Sequence, residues 1–370
     1  MARYRLGDIA PIQQGVVPNS NQYWLLNLDM VESNTGKVLD YLFVDDSQIG
    51  ASTVSFDQSN VLYSKLRPYL NKVVLPDRAG YATSEMLPLK PDEKIIIRDY
   101  LAYFLRSPHF VNYINEKTSG AKMPRANTAD LKAYEIDCPS IVKQKRIVSQ
   151  IDSISRIIQA RQQQLTSLDD LIKARFVEMF GDPVLNQKGF PVYRMDEVVE
   201  FQGGSQPDKK YFEYQPTEDN IRLIQIRDYK TDNYITYIPK AMAKRFCTTE
   251  DIMIGRYGPP IFQILQGIEG SFNVALMKAT PKMGNREFIR YFLKQDCLLH
   301  YLEGMSKRTA GQDGIQMDKL KAYPFPMPPI EAQEEFEGFV IQVDKSKSVI
   351  QKSLDETQLL FDKLMQDYFG

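Results

Sequence analysis

Histidine, cysteine and tryptophan are scarce in this chain, which has only 2 His, 3 Cys and 1 Trp among its 370 residues. Two histidines leave little material for a Ser-His-Asp triad or for a histidine-rich metal site. Cys138, Cys247 and Cys297 are odd in number and far apart in the sequence. This spacing disfavours disulfides and zinc knuckles, and it is typical of a protein from a reducing cytoplasm.

Long apolar runs and nucleotide-binding motifs are also missing. No stretch approaches the roughly 20 apolar residues of a membrane helix, and the first residues, MARYRLGDIA, have no apolar signal-peptide core. Neither GxGxxG nor GxxxxGK[ST] occurs, so we expect the chain itself to bind no cofactor. The formal net charge of −1 argues against a uniformly basic nucleic-acid binder. Local basic surfaces are still compatible with it, because attraction to phosphates depends on local contacts.

The sequence repeats itself once. LKAYEIDCPSIVKQ, which begins at Leu131, aligns without a gap with LKAYPFPMPPIEAQ, which begins at Leu320. The same alignment continues to the end of the chain, where it pairs Phe180 with Phe369. Two homologous halves joined head to tail explain this match.

Each half begins with a segment of mixed secondary structure. Strand-like runs such as VLYSKL, NKVVLP and IRLIQIR alternate with Gly, Pro and Asn residues typical of turns. Helices are predicted at RDYLAYFLRSPHFVNYI and at NREFIRYFLKQDCLLHYL. The pattern predicts an α/β (mixed α+β) globule over residues 1–138 and another over residues 183–327.

Each half ends in a predicted long helix, over residues 139–182 and 328–370. Apolar residues follow a heptad seam in both helices. The seam residues are Ile147, Ile151, Ile154, Ile158, Leu165, Leu168, Ile172 and Phe176, and then Phe336, Val340, Val343, Ile350, Leu354, Phe361 and Met365. A helix of about 38 residues spans roughly 57 Å. Because each helix supplies the partner that the other lacks, we predict an intramolecular antiparallel coiled coil that separates the two globules.

Basic, aromatic and amide residues recur in the loops of both globules. Lys and Arg bind phosphates, Arg reads guanine edges, and Asn or Gln reads adenine edges. We predict a DNA-binding surface formed by Lys65, Arg67, Tyr69, Asn71, Lys72, Lys122, Arg125 and Asn127, and by Gln206, Lys209, Lys210, Tyr211, Gln225, Arg227, Arg256, Tyr257, Lys307, Arg308 and Gln312. For any one of these residues, a solvated surface position is the alternative.

Several of these segments carry a family resemblance. LYSKLRPYLNKVVLP followed by GYATSEMLPLKP resembles the target-recognition domain of type I restriction–modification specificity subunits. So does DIMIGRYGPP followed by GSFNVALMKATP in the second half, and so do both segments that precede the long helices. The resemblance covers essentially the whole chain, as two target-recognition domains that are each followed by a long helix.

The resemblance implies a non-catalytic subunit that reads double-stranded DNA. Each recognition domain would read one half of a bipartite site, and the antiparallel coiled coil would set the spacer. Two adenine-methyltransferase subunits would use S-adenosylmethionine, and motor–nuclease subunits would use ATP and Mg²⁺. The outer faces of the helix pair would dock these partners through Gln144, Arg146, Gln150, Gln333 and Glu335.

Two other classes of protein remain as alternatives. A stand-alone DNA-modifying enzyme is the first, because Pro76-Asp77 followed by Asp92-Glu93-Lys94 satisfies a loose nuclease pattern. YPFPMPPI similarly has a Pro-Pro pair as amino-methyltransferases do, but it lacks their polar residue before the prolines. The second alternative is a scaffold whose globules bind protein. Specific DNA binding together with a methyltransferase subunit would distinguish the DNA-reading subunit from both.

Overall fold

The structure, a computed structural model, describes residues 2–118, 120, 122–257, 261–306 and 315–370. It divides into two compact units, Met1–Gln163 with Gln351–Gly370, and Gln164–Ile350. The predicted site residues Lys307, Arg308 and Gln312 lie outside the described residues. In the part of the chain that is described, no helix is long and apolar enough to cross a membrane.

The first unit is a mixed globule of short strands and helices. Its strands are β1 (Ala2–Arg5), β2 (Tyr23–Leu26), β3 (Leu42–Val44), β4 (Thr53–Phe56), β5 (Val61–Ser64), β6 (Val73–Val74), β7 (Gly80–Thr83), β8 (Met86–Leu89) and β9 (Glu135–Cys138). Its helices are α1 (Leu6–Ile9), α2 (Arg98–Arg106), α3 (Pro108–Glu116) and α4 (Thr128–Ala133), followed by the long helix α5 (Ile141–Phe180). The sheets have the orders β3-β2-β7-β4 and β6-β5-β8, beside the pair β1-β9. Every residue of β5 and β8 is buried, so the three-stranded sheet lies inside the core.

The second unit is built in the same way. Its strands are β10 (Val192–Arg194), β11 (Val199–Gly203), β12 (Asn220–Ile224), β13 (Tyr237–Pro239), β14 (Phe246–Cys247), β15 (Ile252–Gly255), β16 (Gln263–Gln266), β17 (Gly270–Phe272), β18 (Leu276–Pro281) and β19 (Pro324–Pro326). Its helices are α6 (Met195–Val198), α7 (Arg286–Leu293), α8 (Asp296–Ser306) and α9 (Met317–Ala322), followed by the long helix α10 (Ile330–Phe369). The sheets have the orders β11-β18-β15-β16 and β13-β12-β17-β14, beside the pair β10-β19.

The two globules share one topology, which confirms the duplication. In the small four-stranded sheet of each unit, a central pair is parallel, β2 with β7 and β12 with β17. An antiparallel strand covers one edge of this pair, β3 in the first unit and β13 in the second. The units differ at β11, which pairs with β18 over five residues. Its place in the first unit is taken by a single bridge between Ile12 and Leu89.

The helices predicted at RDYLAYFLRSPHFVNYI and at NREFIRYFLKQDCLLHYL are each broken in two, so the prediction of one continuous helix at each place was wrong. In the first unit the break lies at Ser107, which is extended and accepts a hydrogen bond from the backbone N–H of Phe110. Pro108 explains the break, because a proline forces the residue before it out of the helical conformation. In the second unit Lys294 and Gln295 separate α7 from α8.

The long helices pair in antiparallel fashion inside the first unit. Gln150 of α5 accepts a hydrogen bond from the Tyr368 hydroxyl of α10 at 2.7 Å, and Arg161 donates to the backbone oxygen of Ser353 at 2.6 Å. The end of α10 enters the core of this globule, where the Phe369 ring lies 5.1 Å from that of Tyr100. This contact ties the last residues of the second repeat to the globule of the first.

The same pairing occurs inside the second unit. Arg175 of α5 donates to Glu335 of α10 at 2.8 Å, and Lys347 bonds to Asp169 at 2.5 Å. Here the end of α5 enters the core, and Phe180 packs edge-on against Phe288 at 4.8 Å. These contacts confirm the predicted antiparallel helix pair.

The predicted heptad seam faces inward, but its burial varies along the helices. Ile147, Ile151, Ile172 and Phe176 are buried near the two ends of α5. The seam residues between Ile154 and Leu168 are only half-buried. A two-helix contact alone cannot enclose a seam residue, which explains this difference.

Two of the residues predicted to dock partners are instead buried, which corrects their placement on an outer face. Gln144 is 0% exposed. Its Oε1 accepts from the backbone N–H of Ile97 at 2.9 Å, and its Nε2 donates to the backbone oxygens of Ile95 and Pro139. The side chain therefore joins the start of α5 to the start of α2.

Gln333, the counterpart of Gln144 in the second repeat, is 1% exposed and makes equivalent hydrogen bonds. Its Oε1 accepts from the N–H of Asn285 at 2.7 Å, and its Nε2 donates to the oxygen of Pro328 at 2.7 Å. A buried amide is retained only where its donors and acceptors are satisfied, so both glutamines are structural. Arg146, Gln150 and Glu335 are exposed, and their role in docking stays a prediction.

Candidate nucleic-acid interface

In the first unit, the predicted basic residues lie on loops that join one another beside the carboxyl end of β7. Lys65 directly follows β5, and its backbone N–H donates to the oxygen of Glu85 at 2.9 Å. The N–H of Arg67 donates to the oxygen of Pro124 at 2.7 Å, and Leu66 bridges to Arg125. Residues from three distant segments thus form one surface, as the sequence prediction requires.

The loop from Arg67 to Asn71 has a strained backbone. Both of these residues have positive φ, 48° and 50°, which is uncommon for residues other than glycine. The turn Pro68–Leu70 between them fixes the loop, and the Tyr69 side chain projects from it with 53% exposure. Such strain is often retained at functional sites, because a relaxed loop would aim its side chains elsewhere.

Some of the side chains predicted to bind DNA in this unit instead make hydrogen bonds or ion pairs within the globule that stabilise its fold. Asn71 donates to the backbone oxygen of Arg106 at 3.0 Å, and Lys72 donates to that of Leu28 at 2.6 Å. Asn127 caps α4, and Arg125 pairs with Glu85 at 3.0 Å. The half-buried Lys65 and the exposed residues Arg67, Tyr69 and Lys122 remain the predicted DNA contacts of this unit.

The second unit presents an equivalent surface at the carboxyl ends of the parallel strands β12 and β17. Arg256 directly follows β15, as Lys65 follows β5, and its guanidinium lies 5.3 Å from the centre of the Tyr257 ring. Gln206 accepts a long hydrogen bond of 3.5 Å from Asn273, the residue after β17. The Asn273 backbone N–H donates to Ile224, the last residue of β12, at 3.0 Å. The contact links the Gln206 loop to the end of β12.

Gln225 and Arg227 follow β12, and their side chains donate hydrogen bonds to the same buried hydroxyl. The Thr236 side chain, which is 0% exposed, accepts from Gln225 Nε2 at 2.9 Å and from Arg227 Nη2 at 3.0 Å. Behind them lies the fully buried carboxyl of Asp228, 3.7 Å from Arg222 and 3.9 Å from Arg227. Burial raises the pKa of Asp228 above its ordinary value, and the two arginines only partly oppose this effect.

A tyrosine-lined pocket opens beside Arg227, and its aromatic residues were missed by the sequence prediction. The pocket has a volume of about 350 Å³, and Tyr214, Tyr234 and Tyr237 are among its lining residues. Tyr214 and Tyr234 are 69% and 65% exposed. Their position in polar segments, EYQPTEDN and KTDNYITY, was the available signal, because core aromatics seldom stand among so many polar residues.

Lys209, Lys210 and Tyr211 form one 3₁₀ turn near this pocket. Both lysines are exposed, and Lys210 lies 5.0 Å from the centre of the Tyr211 ring. The turn leads into Glu213, which exchanges two backbone hydrogen bonds with Tyr237 at 2.8 and 2.9 Å. The basic turn and the pocket are therefore parts of one surface in the second unit.

The residues of the loose nuclease pattern have local partners. Asp77 accepts two hydrogen bonds from the Arg78 guanidinium, at 2.9 and 3.1 Å, and these lower the pKa of its carboxyl. Asp92 accepts from the backbone N–H of Lys94 at 3.0 Å. Across the described ranges, no three His, Cys, Asp or Glu side chains group together as metal ligands would.

Comparison with known proteins agrees with this architecture. The sequence model of the type I restriction modification DNA specificity domain matches residues 1–168 and again 187–357. The type I restriction enzyme EcoDI specificity subunit of Escherichia coli is 25% identical over 124 residues, which cover 34% of this chain and 27% of that protein. The StySPI specificity subunit of Salmonella potsdam is 22% identical over 75% of this chain and 65% of its own length. The matches to these two relatives thus span less than two thirds of either protein.

Solved structures show the same fold. The S subunit of a type I restriction–modification system from M. genitalium has a TM-score of 0.56 at 14% identity, with 100% of this chain and 96% of that chain covered. A chain from a type I restriction–modification system studied for complex assembly and conformational transition also has a TM-score of 0.56, at 16% identity. The shared fold and the repeated loop surfaces define a protein with two copies of one domain. The chain belongs to the type I restriction modification DNA specificity domain family, with two copies of that domain.

Proposed function

We propose that this chain is the non-catalytic DNA-recognition subunit of a cytoplasmic type I restriction–modification complex. Each unit would read one half of a bipartite, asymmetric site in double-stranded DNA. The observation that carries this proposal is the recurrence of one basic, aromatic and amide-rich loop surface on both copies of a single fold. Two nonidentical readers in one chain match a site with two different half-sequences.

The long helices would set the distance between the half-sites. Forty residues of helix extend about 60 Å, and major-groove faces recur every ~34 Å along DNA. The chain itself would hold no cofactor. Methyltransferase subunits would bind S-adenosylmethionine, and motor–nuclease subunits would bind ATP and Mg²⁺.

Competition binding tests the proposal. The chain co-purified with its methyltransferase subunit should bind a duplex with the correct site about 10³-fold or more tightly than a scrambled duplex at physiological salt. A gel shift with both competitors measures this ratio. Equal binding to all sequences would leave the scaffold alternative, and DNA cleavage by the isolated chain with Mg²⁺ would favour the enzyme alternative.

Exposed leucines on the long helices support docking of two methyltransferase subunits. Leu171 of α5 and Leu360 of α10 occupy equivalent positions of the repeat, and they are 47% and 48% exposed. Apolar side chains exposed at matching positions are suited to two copies of the same partner. They replace Gln144 and Gln333 as candidate docking residues, because those two are buried.

Lysine at these positions should release the partners one at a time. We expect Leu171→Lys and Leu360→Lys each to remove one methyltransferase subunit, and the double variant to remove both, because a charge would be buried in an apolar contact. Native mass spectrometry of the complex measures the stoichiometry. Gln163→Lys adds the same charge at another exposed position of α5 and should retain both subunits. Two bound subunits on the double variant would exclude this docking face.

A further inference from the structure

We propose that Arg227 contacts a guanine base edge in the half-site of the second unit, and that the tyrosines of the pocket beside it contact the major-groove edge of the neighbouring base pair. The inference rests on the proposed DNA-reading function and assigns a specific role within it. It separates Arg227, as a specificity-determining residue, from Lys209 and Lys210, which contact phosphates.

The first support is that the Arg227 side chain is both exposed and held in place. It is 47% exposed. One terminal nitrogen, Nη2, donates to the buried Thr236 hydroxyl at 3.0 Å, and Nε lies 3.9 Å from the buried Asp228 carboxyl. The other terminal nitrogen, Nη1, carries two further N–H donors on the outer end of the guanidinium. Because Thr236 and Asp228 already hold one side of the guanidinium, its remaining N–H donors can bind a base with little further loss of side-chain entropy.

The second support is the charge balance of the site. Arg222 lies between two carboxyls, 2.9 Å from Asp232 and 3.7 Å from Asp228. Together with Arg227, these residues form a cluster of two cationic and two acidic side chains. A phosphate would meet the repulsion of both carboxyls, whereas a neutral base edge would not. The O6 and N7 atoms of guanine are acceptors that match the guanidinium fork.

The third support is the aromatic wall of the pocket. Tyr214 from one segment and Tyr234 and Tyr237 from another line the same cavity of about 350 Å³ with Arg227. Tyrosines supply large contact areas at a low entropic cost, and apolar side chains contact the thymine methyl group in the major groove. These tyrosines are therefore suited to contact the exposed edge of a base pair next to the guanine.

The basic turn nearby has the opposite character. Lys209 and Lys210 are adjacent and exposed, and Lys210 lies 3.7 Å from the exposed carboxyl of Asp208. Lysine is a compact point charge with flexible donors and lacks the planar fork of arginine, which suits it to phosphate contacts. The two sets of residues therefore predict different mutant phenotypes.

Two variants of Arg227 and a lysine control test the assignment in the complex with the methyltransferase subunit. Arg227→Lys keeps the charge and loses the fork, and Arg227→Gln loses both. Both variants should lower discrimination for one guanine, in one half-site only, by roughly 10- to 100-fold. Lys209→Ala combined with Lys210→Ala should instead weaken binding to all sequences and reduce its salt dependence. Competition with single-base variants of the site measures both effects, and thermal melting checks the fold.

Three results would overturn the assignment while leaving the proposed function intact. The first is that the half-site read by the wild-type second unit contains no guanine. The second is that Arg227→Lys retains full discrimination between sequences. The third is that Arg227→Gln weakens DNA binding equally at all sequences. The last two are the results expected of a phosphate contact. A wild-type complex without any sequence preference would instead overturn the proposed function itself, and the assignment with it.

Discussion

Inserting one heptad into each long helix should lengthen the spacer of the recognised DNA site by about three base pairs. Seven helical residues add about 10.5 Å, and DNA rises 3.4 Å per base pair. The insertion belongs after Gln163 in α5 and after Lys352 in α10, where the helices lie between their buried ends. A whole heptad keeps the apolar seam in register.

Methylation at the original site should fall at least about 100-fold, because only one half-site can be engaged at a time. The two half-sequences themselves should not change, since the loop surfaces are untouched. A heptad inserted into α5 alone is the matched control, and it should disrupt the helix pair and lose activity at every spacer. Methylation mapping of the double insertion with an unchanged spacer would show that the helices do not set the distance.

Replacing Phe369 with alanine should destabilise the first unit by about 3–5 kcal/mol. Phe369 is 6% exposed, and its ring lies 5.1 Å from Tyr100 and 6.4 Å from Phe104. The loss would combine a cavity with the release of the end of α10 from this core. Chemical denaturation should reveal an early transition assigned to the first unit, and the half-site read by that unit should lose recognition first.

Phe180→Ala is the counterpart in the second unit, because Phe180 occupies the same repeat position and packs against Phe288 and Phe336. It should weaken the second unit and spare the first. Phe369→Leu keeps most of the buried apolar volume and should cost less than half as much as the alanine variant. Equal losses in both units from Phe369→Ala would contradict the local role of this ring.

The repeated architecture was predictable because it leaves signals at fixed intervals. The heptad seam and the gap-free match from Leu131 onward predicted the two long helices and their antiparallel pairing. The break at Ser107 was missed, although Pro108 was visible, because the apolar period continues on both sides of it. Gln144 and Gln333 were misplaced, because helical position alone does not show which backbone groups a polar side chain will meet inside a core.

The loops of the candidate site were predicted from the sequence, whereas the contacts of their individual side chains depend on the tertiary structure. Arg227 and Gln225 were predicted as DNA contacts from residue type, which stays a prediction, and their shared contact with Thr236 depends on the pairing of β12 with β13. Lys72 looked like a phosphate contact, yet its ammonium reaches the backbone of Leu28. The tyrosines stand in polar segments, which was a signal of exposure, but their meeting in one pocket depends on tertiary contacts between separate segments.

The central claim is that one chain carries two separate DNA readers, and methylome sequencing tests it most directly. A host that carries this chain with its methyltransferase subunit should show adenine methylation at one asymmetric, bipartite motif with a spacer of fixed length. Removing the chain should abolish that methylation. A single uninterrupted motif, or a methylation pattern that persists unchanged without the chain, would contradict the account.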